Sequence, residues 1–206
     1  MSCDAVRALA DRERLERFLR ALGESVRSPL RLYLVDASVL VDLGLRQATL
    51  DIDYVAQADG PQGLAELERQ LPRLKEQLNV NVEPAGPADF MPVPRGALDQ
   101  SRYMRSYGPV AVYHYHYPSL ILSKAARSAE RDLADVELLL REGVVDWAAV
   151  EAAWAEVRAS ETGWLRHTPS EVERRLEALR GRLRAAGLIA VDPATESAEP
   201  AGGPAA

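Results

Sequence analysis

The chain has 206 residues, 47% of them hydrophobic and 27% charged, proportions of an ordinary globular protein that exclude a disordered or fibrous one. Folding at this length hides about 70% of the unfolded surface, so the core needs no disulfide or metal staple. A balance of 25 basic against 31 acidic residues gives −6, which excludes a broadly basic nucleic-acid binder, and only Lys75 and Lys124 among the bases are not arginine.

A lone Cys3 suits a reducing compartment, and the charged opening MSCDAVRALADRERLERFLRAL lacks the apolar stretch of a signal peptide. No apolar run approaches the roughly 20 residues of a membrane span. The expected setting is soluble and cytoplasmic.

In chain order, Leu15, Phe18, Leu19 and Leu22 recur at helical spacing, predicting an amphipathic helix over 4–22 stopped by Gly23. Leu30–Val35 reads as a buried strand, Ala37–Leu43 as a short helix ended by Gly44, and Ile52–Ala56 as a second strand. After Asp59-Gly60-Pro61, a helix carries Leu64, Leu67, Leu71, Leu74 and Leu78, with a kink or restart expected at Pro72. Val80–Glu83 is a short third strand. Residues 84–100, rich in proline and glycine, read as a long loop with one turn at Ala88–Phe90, and such loops are often functional. Arg102–Tyr107 and Val110–Tyr117 form a hairpin turned at Gly108-Pro109. Pro118 then opens a helix to about Ala129. Asp132 followed by Asp135 resembles a capping box for the next helix, which Gly143 ends. Asp146–Ser160 and Pro169–Ala186 are two more helices, and 190–206 has the composition of a disordered tail.

Chemistry concentrates in Tyr33–Ala56, YLVDASVLVDLGLRQATLDIDYVA. Side chains at i and i+2 of a strand share a face, so Asp51 and Asp53 present two carboxylates together. That pairing is costly unless a cation is shared between them. Ligation by oxygen alone suits Mg²⁺, completed by water and phosphate oxygens. A turn of small residues before a helix could offer N–H groups to a phosphate. By themselves, two such acids are more often solvated residues at a strand end than metal ligands.

The arrangement of Asp36, Ala37 and Ser38 before Asp51-Ile52-Asp53-Tyr54 resembles the motif of the nucleotidyltransferase fold of the DNA polymerase beta type. The run Gly44, Arg46, Thr49, Asp51, Asp53 is similar to that of the minimal nucleotidyltransferases of the AbiEii toxin type and their relatives, and the likeness extends over roughly residues 28–150. This resemblance implies an α+β fold with a small mixed sheet flanked by helices and a helical C-terminal third. It divides the chain into a nucleotidyltransferase-like domain at 1–150, a helical extension at 151–189 and the tail at 190–206. The implied activity moves a nucleoside monophosphate from a nucleoside triphosphate to an RNA (such as tRNA) or protein acceptor, with Mg²⁺ as cofactor. A toxin–antitoxin setting with an antitoxin partner is also implied.

In residue terms the resemblance implies Asp51 and Asp53 as metal-holding catalytic carboxylates, and Ala37, Ser38, Arg46, Thr49, Lys124 and Arg127 as the nucleotide site. Glu83 is the candidate third carboxylate, acting as general base. On an uninterrupted helix Lys124, Arg127 and Arg131 would form one basic stripe opposite a triphosphate; the competing reading is a solvated face with an Arg131–Asp135 pair. One departure stands out. The glycine pair that normally begins the motif is Asp36-Ala37, an acid where a phosphate should approach. A catalytically inactive binding or regulatory protein of the same fold is therefore the alternative.

Three further features are read as structural. His114 and His116 alternate with tyrosines in YHYHY and share a strand face without a third metal ligand nearby. Trp147 and Trp154 lie seven apart, as core residues. The arginine-rich last helix, with Arg174, Arg175, Arg180, Arg182 and Arg184, is read as a solvated amphipathic face.

Overall fold

The computed structural model describes residues 7–190; Cys3 and nearly all of the expected tail lie outside them. Within that range an α+β fold is built on one mixed five-stranded sheet. Its elements are β1 (Ala10–Asp11), α1 (Arg12–Ser25), β2 (Leu30–Leu34), α2 (Asp36–Asp42), β3 (Ala48–Thr49), β4 (Asp51–Gln57), α3 (Pro61–Leu78), β5 (Asn81–Pro84), a 3-10 turn at Pro87–Asp89, β6 (Arg102–Tyr107), β7 (Val110–His114), α4 (Tyr117–Arg127), α5 (Glu130–Arg141), α6 (Trp147–Val157) and α7 (Pro169–Ala185).

The sheet order is β5-β4-β2-β7-β6. β2 runs antiparallel to β4 and parallel to β7, while β4 pairs in parallel with β5. The central strands are apolar on both sides, as expected where helices cover each face: Leu30, Leu32, Tyr33 and Leu34 are all buried. Together with Phe18, Leu19 and Leu22 of α1 and Leu67 and Leu74 of α3, they form the first core cluster. Each large side chain so buried contributes about 1.5–3 kcal/mol.

Helix α1 starts at Arg12, where Asp11 caps it by accepting the Arg14 N–H, and it runs through Gly23 rather than stopping there. A Cβ at Gly23 would lie 2.3 Å from the Tyr107 carbonyl oxygen. The glycine is there so that α1 can press against β6, a reason no local pattern displays. Pro72 likewise does not end α3. Its missing N–H leaves the Glu68 carbonyl without a helical donor on the exposed side, while Leu67 and Leu74 hold both halves of the helix to the core.

A second core cluster joins α4, α5, α6 and α7. It contains Ile121, Leu122, Val136, Leu139, Val150, Trp154, Leu176 and Leu183, and Trp154 meets Trp164 edge-on at 6.1 Å. Helix α4 is buried from Pro118 to Ala126 and belongs to both clusters, with Leu120 in the first and Ile121 in the second. The boundary expected after residue 150 lies inside α6, and this second cluster also takes in Leu40 of α2 and Met91 from the loop after β5. No helix among the described residues is long and apolar enough to cross a membrane.

Two local expectations fail for tertiary reasons. Asp132 and Asp135 do not cap α5, whose N-cap is Ala129 without a side-chain bond; both acids are taken by cations from elsewhere. Ser128, at φ +56°, ends α4 immediately after Arg127, so Arg131 sits on α5. The uninterrupted stripe does not form, and Asp135 pairs with Lys124 and Arg46 instead of Arg131.

Candidate functional site: carboxylates at the end of the central strands

The antiparallel pairing of β2 with β4 brings the start of α2 beside the acids of β4, with the Val35 N–H bonded to the Asp53 carbonyl at 3.1 Å. The parallel register of β4 and β5 sets Asp51 opposite Asn81 and Asp53 opposite Glu83. Residues aligned across neighbouring strands project to the same side of a sheet, so Asp51, Asp53 and Glu83 share one face. Asn81 links two of them: its side-chain amide donates to Asp51 Oδ1 at 2.5 Å and to Glu83 Oε1 at 2.7 Å.

Asp53 experiences this crowding most. Burial, followed by the charges of Asp36, Asp51 and Glu83, pushes its carboxyl up to about 7, against a smaller opposing pull from Arg127. Like charges so placed resist simultaneous ionisation, and a cation would relieve the repulsion. Among the described residues no group of three or more His, Cys, Asp or Glu side chains is arranged to hold a metal ion. The donor set still fits Mg²⁺ held by the Asp51–Asp53 pair, since that ion usually takes one or two carboxylates and fills its shell with water and phosphate oxygens.

The remaining expected residues are placed differently from one another. Ala37 and Ser38 are buried. The Ser38 hydroxyl accepts the Asp53 N–H at 2.9 Å and reaches the Asp51 carbonyl at 3.4 Å. These two bonds fasten α2 to β4. Thr49 is buried in β3, opposite Ala10 of β1. Arg46 bonds both Asp135 oxygens from Nη1 at 3.2 Å, which ties it to the acid that also holds Lys124.

Lys124 and Arg127 do lie next to the carboxylates, but inside an ion-pair network. Lys124 is 1% exposed, and its ammonium is 2.8 Å from Asp135, 3.1 Å from Asp132 and 3.6 Å from Asp36. Arg127 bonds Asp132 through Nε and Nη2 at 2.9 Å, and Asp36 through Nη2 at 3.0 Å. Burial opposes charge on Asp132, yet the bonds from Arg127 and the charge of Lys124 hold its carboxyl below the ordinary range. The same acids raise Arg127 further, against the effect of its own burial. A compact ammonium fits at the centre of three carboxylates where a planar guanidinium would not, which gives the rare lysine a structural reason.

Asp36 was legible only as a departure from a motif; its role in the site was not. It adopts φ +50°, the left-handed region, which an L residue enters at some cost and aspartate more readily than most. The capping-box spacing concealed Asp132 and Asp135, and the sequence carried no sign of Asn81. Phe90 was also missed. From the loop between β5 and β6 its ring centroid is 4.6 Å from the Arg127 guanidinium and 4.8 Å from that of Arg166, a cation–π clamp at the edge of the site.

The two histidines separate. His114 is fully buried, with Nε2 2.7 Å from Asp42 and Nδ1 2.8 Å from the Tyr117 hydroxyl. His116 precedes α4 and bonds the Ser119 hydroxyl at 2.9 Å. In α7, Arg180 pairs with Glu151, Glu173 and Glu177, and Arg182 with Glu130 and Glu137.

Compared with protein-family models, curated proteins and solved structures, the chain matches none.

Proposed function

We propose that this protein is a metal-dependent nucleotidyltransferase that moves a nucleoside monophosphate from a nucleoside triphosphate to a hydroxyl of an RNA (such as tRNA) or protein acceptor. The observation that supports this reading is the convergence of Asp51, Asp53 and Glu83 on one sheet face, with Asp53 pushed to about 7 by burial and neighbouring carboxylates. Acids crowded in this way repel one another, and positive charge supplied with a ligand would relieve that repulsion. Mg²⁺ held by Asp51 and Asp53 would supply countercharge for the triphosphate and activate the attacking oxygen. Glu83, one strand over, is in place to accept the acceptor's proton, and Asn81 orients both Glu83 and Asp51. Arg127, whose charge acts on Asp53, and Lys124 beside it at Asp36 would be the cations to meet the phosphates. A toxin–antitoxin role, with an antitoxin partner, belongs to the same proposal and rests on the sequence resemblance alone.

A second reading, a catalytically inactive binding or regulatory protein of the nucleotidyltransferase-like fold, is favoured by one observation. Asp36, Asp132 and Asp135 already neutralise Lys124 and Arg127.

The test is incubation of the purified chain with each labelled nucleoside triphosphate, Mg²⁺ and total RNA or protein extract. Label transfer that disappears in Asp53→Ala is the expected result. Calorimetry that detects neither nucleotide binding nor transfer, for any nucleotide, overturns the first reading. Nucleotide binding without transfer supports the second.

A further inference from the structure

The cations nearest the carboxylate site are occupied by the protein's own acids, but not equally. Asp132 and Asp135 come from α5, immediately after α4 in the chain, and hold Lys124 and Arg127 at 2.8–3.1 Å. Asp36 comes from the other side, at the start of α2, and meets the same two cations at 3.0 Å and 3.6 Å. Its side chain is more exposed than either of the other two, at 22% against 15% and 9%. Its backbone lies in the left-handed region at φ +50°. The same carboxylate crowds Asp53. Asp36 thus lies between the metal-type acids and the phosphate-type cations, attracted by one set and repelled by the other.

From this position we propose that Asp36 is an internal stand-in for a phosphate: its carboxylate masks an anion subsite on Arg127 and Lys124, and a polyphosphate ligand binds by displacing it. The inference deepens the function proposed above, since it concerns the triphosphate subsite of the same site. The charge balance within this network favours such a displacement. Lys124, Arg127 and Arg46 carry three positive charges, and Asp36, Asp132 and Asp135 carry three negative ones, so the closed network offers an incoming anion no net attraction. All three acids pair with two cations, but Asp132 and Asp135 are the more buried and each holds Lys124 more closely than Asp36 does, at 3.1 Å and 2.8 Å against 3.6 Å. Asp36 is the member that solvent reaches most and the one whose backbone lies in the left-handed region. Once it leaves, the Arg127 guanidinium gains a free N–H and Lys124 loses its most distant partner, as recognition of a phosphate oxygen requires.

The experiment uses the full chain and inorganic tripolyphosphate in a chelator-containing buffer, so that neither metal nor transfer activity enters the measurement. Affinity is read by calorimetry for the wild type, Asp36→Asn and Asp36→Gly, with thermal melts to confirm folding. Asparagine keeps the shape and removes the charge; glycine also relieves the left-handed backbone, so at least one folded variant is expected. Both should bind tripolyphosphate at least about tenfold more tightly than the wild type, as expected for one removed charge at a partly buried ion pair. The gain should vanish when Arg127→Gln is added to Asp36→Asn. Folded Asp36 variants that bind with wild-type affinity, or no more than the wild type's absence of binding, overturn the proposal. The two readings fail separately. Tighter tripolyphosphate binding without label transfer from any nucleotide retains the masked subsite and removes the enzyme. Label transfer with tripolyphosphate affinity unchanged by Asp36→Asn does the reverse.

Discussion

Asp53→Asn keeps the shape of a side chain whose charge the fold resists, and its effect on stability should depend on pH in a defined direction. Burial and the acids Asp36, Asp51 and Glu83 raise the Asp53 carboxyl from 3.8 to about 7. Between those values the folded chain retains a proton that the unfolded chain has released, so stability falls as pH rises through this window and the whole penalty is felt above pH 7. Taken in full, the gap corresponds to about 4 kcal/mol. Asp53 is only partly buried, and solvent screening reduces this to about 1–2 kcal/mol. Asparagine carries no charge to penalise. At pH 8 in a chelator-containing buffer the variant should therefore melt higher than the wild type by about 2–8 °C for a chain of this size. At pH 4, where the wild-type carboxyl holds its proton in the folded state, the two should melt within about a degree of each other. Thermal melts of both proteins across pH 4–8 measure this directly. A melting offset that stays constant over that range, or a variant less stable at pH 8, would mean that Asp53 is not under the electrostatic load described, and the main support for a cation-requiring site would be lost.

Three further predictions concern stability. Lys124→Met removes the ammonium from between Asp36, Asp132 and Asp135 and leaves buried carboxylates short of countercharge; chemical denaturation should show a loss of about 3–5 kcal/mol, and a loss below about 1 kcal/mol would show the network to be dispensable. Gly23→Ala would place a methyl group 2.3 Å from the Tyr107 carbonyl oxygen and should cost about 1–3 kcal/mol. Gly181→Ala in α7 meets nothing within 4 Å and should stabilise by about 0.5–1 kcal/mol; equal effects at the two glycines would remove the close-approach argument for α1 against β6.

The elements of this protein were largely written in local patterns. Leucine spacing marked α3, the apolar run from Leu30 marked β2, and Gly108-Pro109 marked the turn between β6 and β7, because each depends on neighbours within a few residues. The pairing of Asp51 with Asp53 was also legible, since a strand's period of two puts both on one face wherever the strand lies. That Glu83 should stand beside Asp53 was only a candidate pairing until the β4–β5 register placed them opposite.

What tertiary structure decided was the fate of the charges. Gly23 looked like a helix stop and is a contact surface for Tyr107. Asp132 and Asp135 had the spacing of a cap and serve Lys124, Arg127 and Arg46. Ser38, expected to face a phosphate, ties α2 to the backbone of β4. The scarcity of lysine, two among 25 basic residues, also gains its meaning only in three dimensions. The sequence by itself determined that the chain has charges enough of both signs, and it placed most of them on their elements, though not Arg131, which sits on α5 beyond the break at Ser128. Which charges neutralise one another depends on distances between segments far apart in the chain, here between Asp36 and Arg127, and electrostatic energy follows those distances and not position in the sequence.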